Sequence, residues 1–171
     1  MRAAASAADA VRETDIVISA VTAASSVDAA RSVAPHLNGN PYYLDINSVS
    51  PGRKQETAKL LGERARYVDV AVVAAIHPDR HRTPLLIAGP HAEEISPLLR
   101  ELEMQLSVVS PETGAAAAIK MIRSVMIKGI EALTLECFLA AARAGVLNEV
   151  TASLMNNYPT PDWGQMADYN L

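Results

Sequence analysis

The 171-residue sequence has one cysteine, one phenylalanine and one tryptophan, and aromatic residues make up only 4% of it. A single thiol, Cys137, excludes an internal disulfide framework and suits a reducing compartment, so a cytoplasmic protein is expected. Basic residues are in the minority, fifteen Lys and Arg against nineteen Asp and Glu, which leaves a formal net charge of −4. That balance gives no cationic footprint for nucleic acid. No apolar run approaches the length of about eighteen residues that a membrane span needs. The N-terminal residues turn polar by residue 13, too early for a secretory signal. Internal repeats, low-complexity tails and flexible linkers are also missing. What remains is 50% apolar and 20% charged, a soluble chain able to bury a core and long enough for one domain or a little more.

Hydrophobic patterning organises that core. Residues 3–13 read as an alanine-rich helix. Asp15-Ile16-Val17-Ile18-Ser19-Ala20-Val21 is a near-continuous apolar run, the pattern of a parallel strand covered on both faces. Ser25 and Ser26 are cap candidates for a helix reaching about His36. Asn38-Gly39-Asn40-Pro41 is a turn, followed by a strand over residues 42–46. Ser50-Pro51 is a good N-cap and first-turn pair for a helix to about Gly62. Further strands are expected at 67–73, 84–88 and 106–109, with a helix over 90–103. From about Gly114 to Ala144 one long helix is predicted, ended by Gly145, with another over 148–157. Strands alternating with helices, then helices alone, give an α/β layer followed by an all-α portion. The expected architecture is a partial Rossmann-like parallel sheet over residues 1–112, joined by the long helix to a partial helical domain over residues 113–171.

Three segments carry a resemblance. Asp45-Ile46-Asn47-Ser48-Val49-Ser50-Pro51 is similar to a D-x-[ST]-[ST]-x-x-P stretch, and Tyr67-Val68-Asp69-Val70-Ala71-Val72 to a strand leading into a substrate loop. Gly114, Lys120 and Ser124 are similar to a G-x-G-x-x-x-K-x-x-x-N helix. In this order they resemble the β-hydroxyacid dehydrogenase superfamily, which includes 3-hydroxyisobutyrate and 6-phosphogluconate dehydrogenases. Ile119 to Gly129 looks like a branch whose C-terminal domain is classed as DUF1932, a domain of unknown function. The resemblance implies an oxidoreductase that exchanges hydride between NAD or NADP and a small hydroxyacid-like substrate, with or without decarboxylation. It implies Lys120 as general acid/base, Ser124, Asn47 and Ser48 at the substrate, and Thr22, Ala23 and Ser48 along the cofactor. It also implies a homodimer paired through the helical region.

The residues themselves leave alternatives open. Ile119, Met121 and Ile122 around Lys120 are expected to bury it and lower its pKa toward useful proton transfer, with Ser124 one turn on along the same face. The plainer reading is a lysine snorkelling from an amphipathic helix. Asn47 and Ser48 follow a strand's carboxyl end, where open α/β sheets bind ligands; the plainer reading is a turn and helix cap. Where the superfamily commonly has S-G-G, this chain has Val73-Ala74-Ala75 and then a polar loop. There Arg80 and Arg82 suit a carboxylate or phosphate, or are simply exposed. His77 and His81 flank Pro78, lack a third ligand and give no zinc site, so no metal is expected. Cys137 reads as a small core residue.

The largest departure is the glycine-rich pyrophosphate turn, which none of the eight scattered glycines builds. The first strand then corresponds to the fourth of a 3-2-1-4-5-6 order, and a strand so apolar is expected to be covered at its edge. The chain is therefore expected to be part of a longer protein, mis-started at Met1-Arg2-Ala3 and incomplete after Pro161-Asp162-Trp163, with impaired cofactor binding and little activity alone. The residue that distinguishes NAD from NADP belongs to the absent part. The rival reading is a non-catalytic dimerisation module, with Ile122, Met126, Ile130, Leu133 and Cys137 as its stripe.

Overall fold

The structure is a computed structural model and describes residues 3–157; the Pro161-Asp162-Trp163 stretch lies outside them. Among the described residues, five strands form one sheet in sequence order: β1 (Ile16–Ser19), β2 (Tyr42–Asp45), β3 (Arg66–Val72), β4 (Leu85–Ala88) and β5 (Leu106–Ser110). The helices are α1 (Ala7–Ala10), α2 (Ser26–Val33), α3 (Pro51–Leu61), α4 (Ala92–Glu101), α5 (Ala115–Ala144) and α6 (Leu147–Asn157). Contacts divide the chain within α5, into Met1–Ser124 and Val125–Leu171. The expected α/β layer followed by helices alone is the fold observed.

One strand departs from the expected parallel sheet. β1, β2 and β3 run parallel, β4 runs antiparallel to β3, and β5 is parallel to β4. The reason lies in the connections. Helices α2 and α3 carry the chain back between the parallel strands, whereas only a 3-10 turn at Arg80–Arg82 separates β3 from β4. Without a crossover helix the next strand returns antiparallel. The N-terminal helix is shorter than expected, one turn capped by Ser6, whose hydroxyl accepts from the Asp9 N–H.

Alternation along the strands builds three apolar clusters, the smallest being Ala71 and Ala88 against Ala116 of α5. Tyr42, Leu44, Val68, Val70, Leu85 and Ile87 face one way and pack on Ala92, Ile95 and Leu99 of α4. Tyr43 and Tyr67 face the other way and pack with Ala30, Ala34 and Leu61 under α2 and α3, their rings stacked with centroids 6.1 Å apart. The period of two puts Asp45 and Asp69 on that second face as well. These two acids are register partners on adjacent parallel strands.

Helix boundaries follow local chemistry. Ser50 caps α3 by accepting from the Arg53 N–H, with Pro51 at the first position, as the sequence predicts. Gly145 ends α5 at φ +73°, and the Val146 N–H reaches the Ala141 carbonyl at 3.0 Å, a Schellman closure. Gly114, at φ +100°, precedes α5; a Cβ there would stand 3.1 Å from the Pro51 backbone carbonyl oxygen. The outer edge of β1 pairs with no strand among the described residues, and Ile18 on it is 56% exposed.

Two glycine replacements test this packing by thermal denaturation followed by circular dichroism. Gly114→Ala places a methyl group against α3 in a left-handed backbone, and should destabilise the chain by about 1–3 kcal/mol. Gly52→Ala, in α3 with open space around it, should stabilise it by up to about 1 kcal/mol.

Candidate active site

The carboxyl ends of β1, β2 and β3 and the first turns of α5 surround an open hollow of about 530 Å³. Its walls are mostly apolar and small, with Ala20, Ala23, Ala74 and Ala75 among them, and its polar side chains are Asn47, Ser48 and Lys120. Lys120 comes from the second turn of α5 and Ser48 from the loop after β2. The Lys120 ammonium donates to Ser48 Oγ at 2.8 Å. Burial holds the Lys120 amine below the ordinary lysine range, and the nearby positive charge of Lys54 lowers it further. The residues expected to bury it do not: Ile119, Met121 and Ile122 are all solvent-exposed. The end of the sheet desolvates Lys120, because its side chain leans off the helix toward Ser48.

Beneath this pair lies a cluster of charges inside the protein. Lys54 of α3 is 1% exposed. Its ammonium donates to the backbone carbonyls of Asp45 at 2.5 Å and Val70 at 3.3 Å. It also lies 3.2 Å from Asp45 Oδ1 and 3.4 Å from Asp69 Oδ1. Asp45 Oδ1 accepts from the Asn47 N–H at 3.0 Å and from Asn47 Nδ2 at 2.8 Å, and Asp45 Oδ2 accepts from the Tyr67 hydroxyl at 2.8 Å. Burial, and then the negative charge of Asp45, push the Tyr67 hydroxyl far above its ordinary pKa, so it stays a donor. Asp69 Oδ2 accepts from the N–H groups of Gly114 at 3.1 Å and Ala117 at 3.2 Å, which caps the start of α5 with a carboxylate.

The other residues singled out in the sequence divide. Ala23 lines the hollow, and Thr22 stands exposed before it, its hydroxyl donating to Ser25 Oγ at 3.1 Å. Asn47 borders the hollow, but its amide is committed elsewhere. Asn47 Oδ1 accepts from the Val21 N–H at 2.7 Å, and Nδ2 also donates to Ser19 Oγ at 2.9 Å. Asn47 thus ties the end of β1 to the end of β2. Ser124 lies one turn from Lys120, and its hydroxyl donates back to the Lys120 carbonyl at 2.7 Å. Arg80, at φ +53°, borders a different, apolar hollow of about 140 Å³ beside Ile18 and Met104. Arg82 pairs with Glu103 at 2.6 Å, with His81 3.9 Å from the same carboxylate. Cys137 is exposed rather than a core residue; α5 carries apolar residues around its whole girth there, so apolar neighbours do not indicate burial.

Lys54 is the buried neighbour of the site that sequence reading misses, and Tyr67 is its companion. A signal for Lys54 exists: an acid at the same position of two adjacent apolar strands needs a counter-charge once buried. Lys54, three residues after the helix-opening Pro51, is placed to provide it.

The hollow has room for a flat ring. Four alanines let a flat ring approach the backbone, and the position beyond the carboxyl ends of parallel strands is where such folds bind ligands. Ala20, Ala23 and Ser48 are the residues that would hold it. Among the described residues, no group of three or more His, Cys, Asp or Glu is arranged to hold a metal ion, and no helix is long and apolar enough to cross a membrane.

No family model matches the chain. Solved structures do. A conserved hypothetical protein from Sinorhizobium meliloti 1021 is 38% identical, with a TM-score of 0.76, over 96% of this chain and 55% of its own. A conserved protein described as structurally similar to 3-hydroxyacid dehydrogenases is 32% identical, with a TM-score of 0.76, over 90% of this chain and 58% of its own. An imine reductase from Myxococcus stipitatus, solved in complex with NADP+, is 26% identical, with a TM-score of 0.73, over 96% of this chain and 59% of its own. A curated relative, an uncharacterized 28.5 kDa protein from Methanothermus fervidus, is 32% identical over 142 residues, which are 83% of this chain and 54% of the relative. The chain thus spans about half the length of the proteins it matches. Its structural neighbours include proteins described as similar to 3-hydroxyacid dehydrogenases and as imine reductases, in agreement with the resemblance to the β-hydroxyacid dehydrogenase superfamily.

Proposed function

We propose that the chain is the proton-transfer and nicotinamide-facing part of an NAD(P)-dependent oxidoreductase acting on a hydroxyacid-like small molecule. The observation that carries this reading is the Lys120–Ser48 pair in an otherwise apolar hollow at the sheet's carboxyl end. A bound nicotinamide supplies the hydride acceptor or donor. The chain's own residues handle the proton. In the oxidation direction the neutral Lys120 amine takes the hydroxyl proton of the substrate, and in the reverse direction the ammonium returns it. Ser48 orients the amine through its hydrogen bond. The small apolar walls exclude water and bring the reacting carbon close. Ser124, its own proton given to the helix backbone, offers the substrate hydroxyl only an acceptor. The run Ile119–Gly129 supports assignment to the branch with the DUF1932-type helical domain, and the single cysteine supports a cytoplasmic enzyme.

A homodimer is the second part of the proposal, and on its own it is the rival, non-catalytic reading. Within the helical unit, Val125 is 75% exposed, Leu133 68% and Met126 50%. That is more apolar surface on one helix than a monomer ordinarily leaves in water. Sedimentation should find a dimer at micromolar concentration, and Leu133→Glu should shift it to monomer. A monomeric wild-type chain would remove this part of the proposal.

The catalytic part is tested on the chain alone and on the chain joined to the portion of the Sinorhizobium meliloti protein that it does not cover. A panel of hydroxyacids and ketoacids would be followed by nicotinamide absorbance. Lys120→Ala should lower turnover by about 10²–10⁴-fold, and Ser48→Ala by about tenfold, the worth of one hydrogen bond to a charged group. Unchanged turnover in Lys120→Ala would favour the non-catalytic reading. The base and acid roles of Lys120 fix the sign of the pH dependence, and its lowered pKa moves the range to lower pH. Oxidation should speed up as pH rises through that pKa, since the base must be neutral, and reduction should slow through the same range, since the acid must be charged. Calorimetry on the chain alone should find NADH and NADPH binding weaker than micromolar, because none of its glycines builds a pyrophosphate loop.

A further inference from the structure

Two carboxylates and one ammonium buried together are not the least costly way to fill a core. Apolar residues of similar volume often do as well or better. What distinguishes Lys54 is where its two partners lead. Asp45 accepts from Tyr67 and, twice, from Asn47, the residue before Ser48. Asp69 turns its second oxygen onto Gly114 and Ala117, the latter three residues before Lys120. The Lys120–Ser48 hydrogen bond at 2.8 Å then joins these two branches at their far ends. The result is a closed ring: Lys54, Asp45, the Asn47–Ser48 loop, Lys120, the first turns of α5, Asp69, and back to Lys54.

We propose that Lys54 is the positioning residue of this site, holding the Ser48 loop and the start of α5 at the separation where Lys120 meets Ser48. It touches neither hollow nor substrate and acts only through the two aspartates and the carbonyls of Asp45 and Val70. Removing its charge leaves Asp45 and Asp69 side by side without a counter-ion. Their repulsion and rehydration then pull apart the loop that one anchors and the helix that the other caps. The cations near Lys120 are Lys54 on α3 and Arg123 on α5, whose guanidinium donates to the Val73 carbonyl. Among these, Lys54 is the buried cation, so the group that sets the geometry also adds to the lowering of the Lys120 pKa that burial causes.

The proposal rests on Lys120 as the proton-handling group, and its test uses no turnover, so the two readings fail separately. The chain has four lysines, Lys54, Lys59, Lys120 and Lys128. Trace acetylation with acetic anhydride across a pH series, read by mass spectrometry at each lysine, gives a titration midpoint for each exposed amine, with Lys59 as internal reference. In the wild-type chain the Lys120 midpoint should lie below that of Lys59. In Lys54→Met it should rise to meet the reference, because the neighbouring charge is gone and water reaches the loosened pair. Should that variant fail to fold, Lys54→Met with Asp69→Asn removes the same ammonium while leaving one buried carboxylate rather than two. A fall in melting temperature alone would be shared by any structural role and decides nothing; the Lys120 midpoint decides. Coincident midpoints in the wild-type chain, or an unmoved Lys120 midpoint in a folded variant, overturn the proposal. Loss of turnover in Lys120→Ala together with an unmoved midpoint would retain the enzyme and remove Lys54 from its site.

Discussion

Two fully buried aspartates stand opposite one another on adjacent parallel strands, and the rest of the first unit is arranged to make that tolerable. Like charges in register on neighbouring strands repel, and burial strengthens the repulsion. Lys54 supplies the counter-charge, the Tyr67 hydroxyl and the Asn47 amide share Asp45, and the first amides of α5 share Asp69. Each of these groups belongs to a different element. The electrostatic requirement of two residues therefore fixes α3, the loop after β2 and the start of α5 relative to the sheet. Gly114 follows from the same constraint: α5 must begin close enough to α3 for its amides to reach Asp69, and a side chain there would strike Pro51.

The hollow inherits its shape from this arrangement. Three parallel strands end on the same side, so Val21, Ser48 and Ala74 come together there. The short connection after β3 turns the chain back as an antiparallel strand and carries Arg80 away to the neighbouring apolar hollow. What faces Lys120 is thus a wall of alanines with one hydroxyl, not a cationic lobe. The polar groups nearest the hollow differ in what they have left to offer. Asn47 is fully engaged in joining β1 to β2, Ser124 has given its proton to its own helix, and Ser48 accepts from Lys120.

Most elements were legible in the sequence because they rest on local chemistry. The run at Ile16 has the composition of a covered strand, Ser50-Pro51 is a helix start, and Gly145 is a helix stop; each is where the pattern puts it. The direction of β4 was not legible from periodicity, which does not distinguish parallel from antiparallel pairing. It follows instead from the absence of a helical pattern between Val73 and Pro84. Of the site, the resemblance points to Lys120 and Ser48, which do meet, but the apolar residues flanking Lys120 do not bury it. Flanking apolar residues on a helix point away from a given side chain as often as they shelter it, and Ile122, 72% exposed, points away. Lys54 and Tyr67 are not legible in the sequence because a lysine in a helix and a tyrosine in a strand each have a common plain role. Only the register that pairs Asp45 with Asp69 gives them a different one.

That ring also sets how its members can be measured. Residues within one hydrogen-bonded charge network do not contribute independently, and single replacements in it overlap in their effects. Removing Lys54 exposes two uncompensated acids, whereas removing Asp69 uncaps α5 and leaves Lys54 with one partner. Both loosen the same contact between Lys120 and Ser48, so their separate costs will not sum to that of the pair. The chemistry at the hollow and the stability of the sheet beneath it are held by the same few groups. A replacement that leaves the fold intact while moving Lys120 is therefore more informative than one that abolishes both. The charge-balanced pair at positions 54 and 69 is such a replacement, since it removes the ammonium and one acid together and leaves an amide that can still accept from the start of α5.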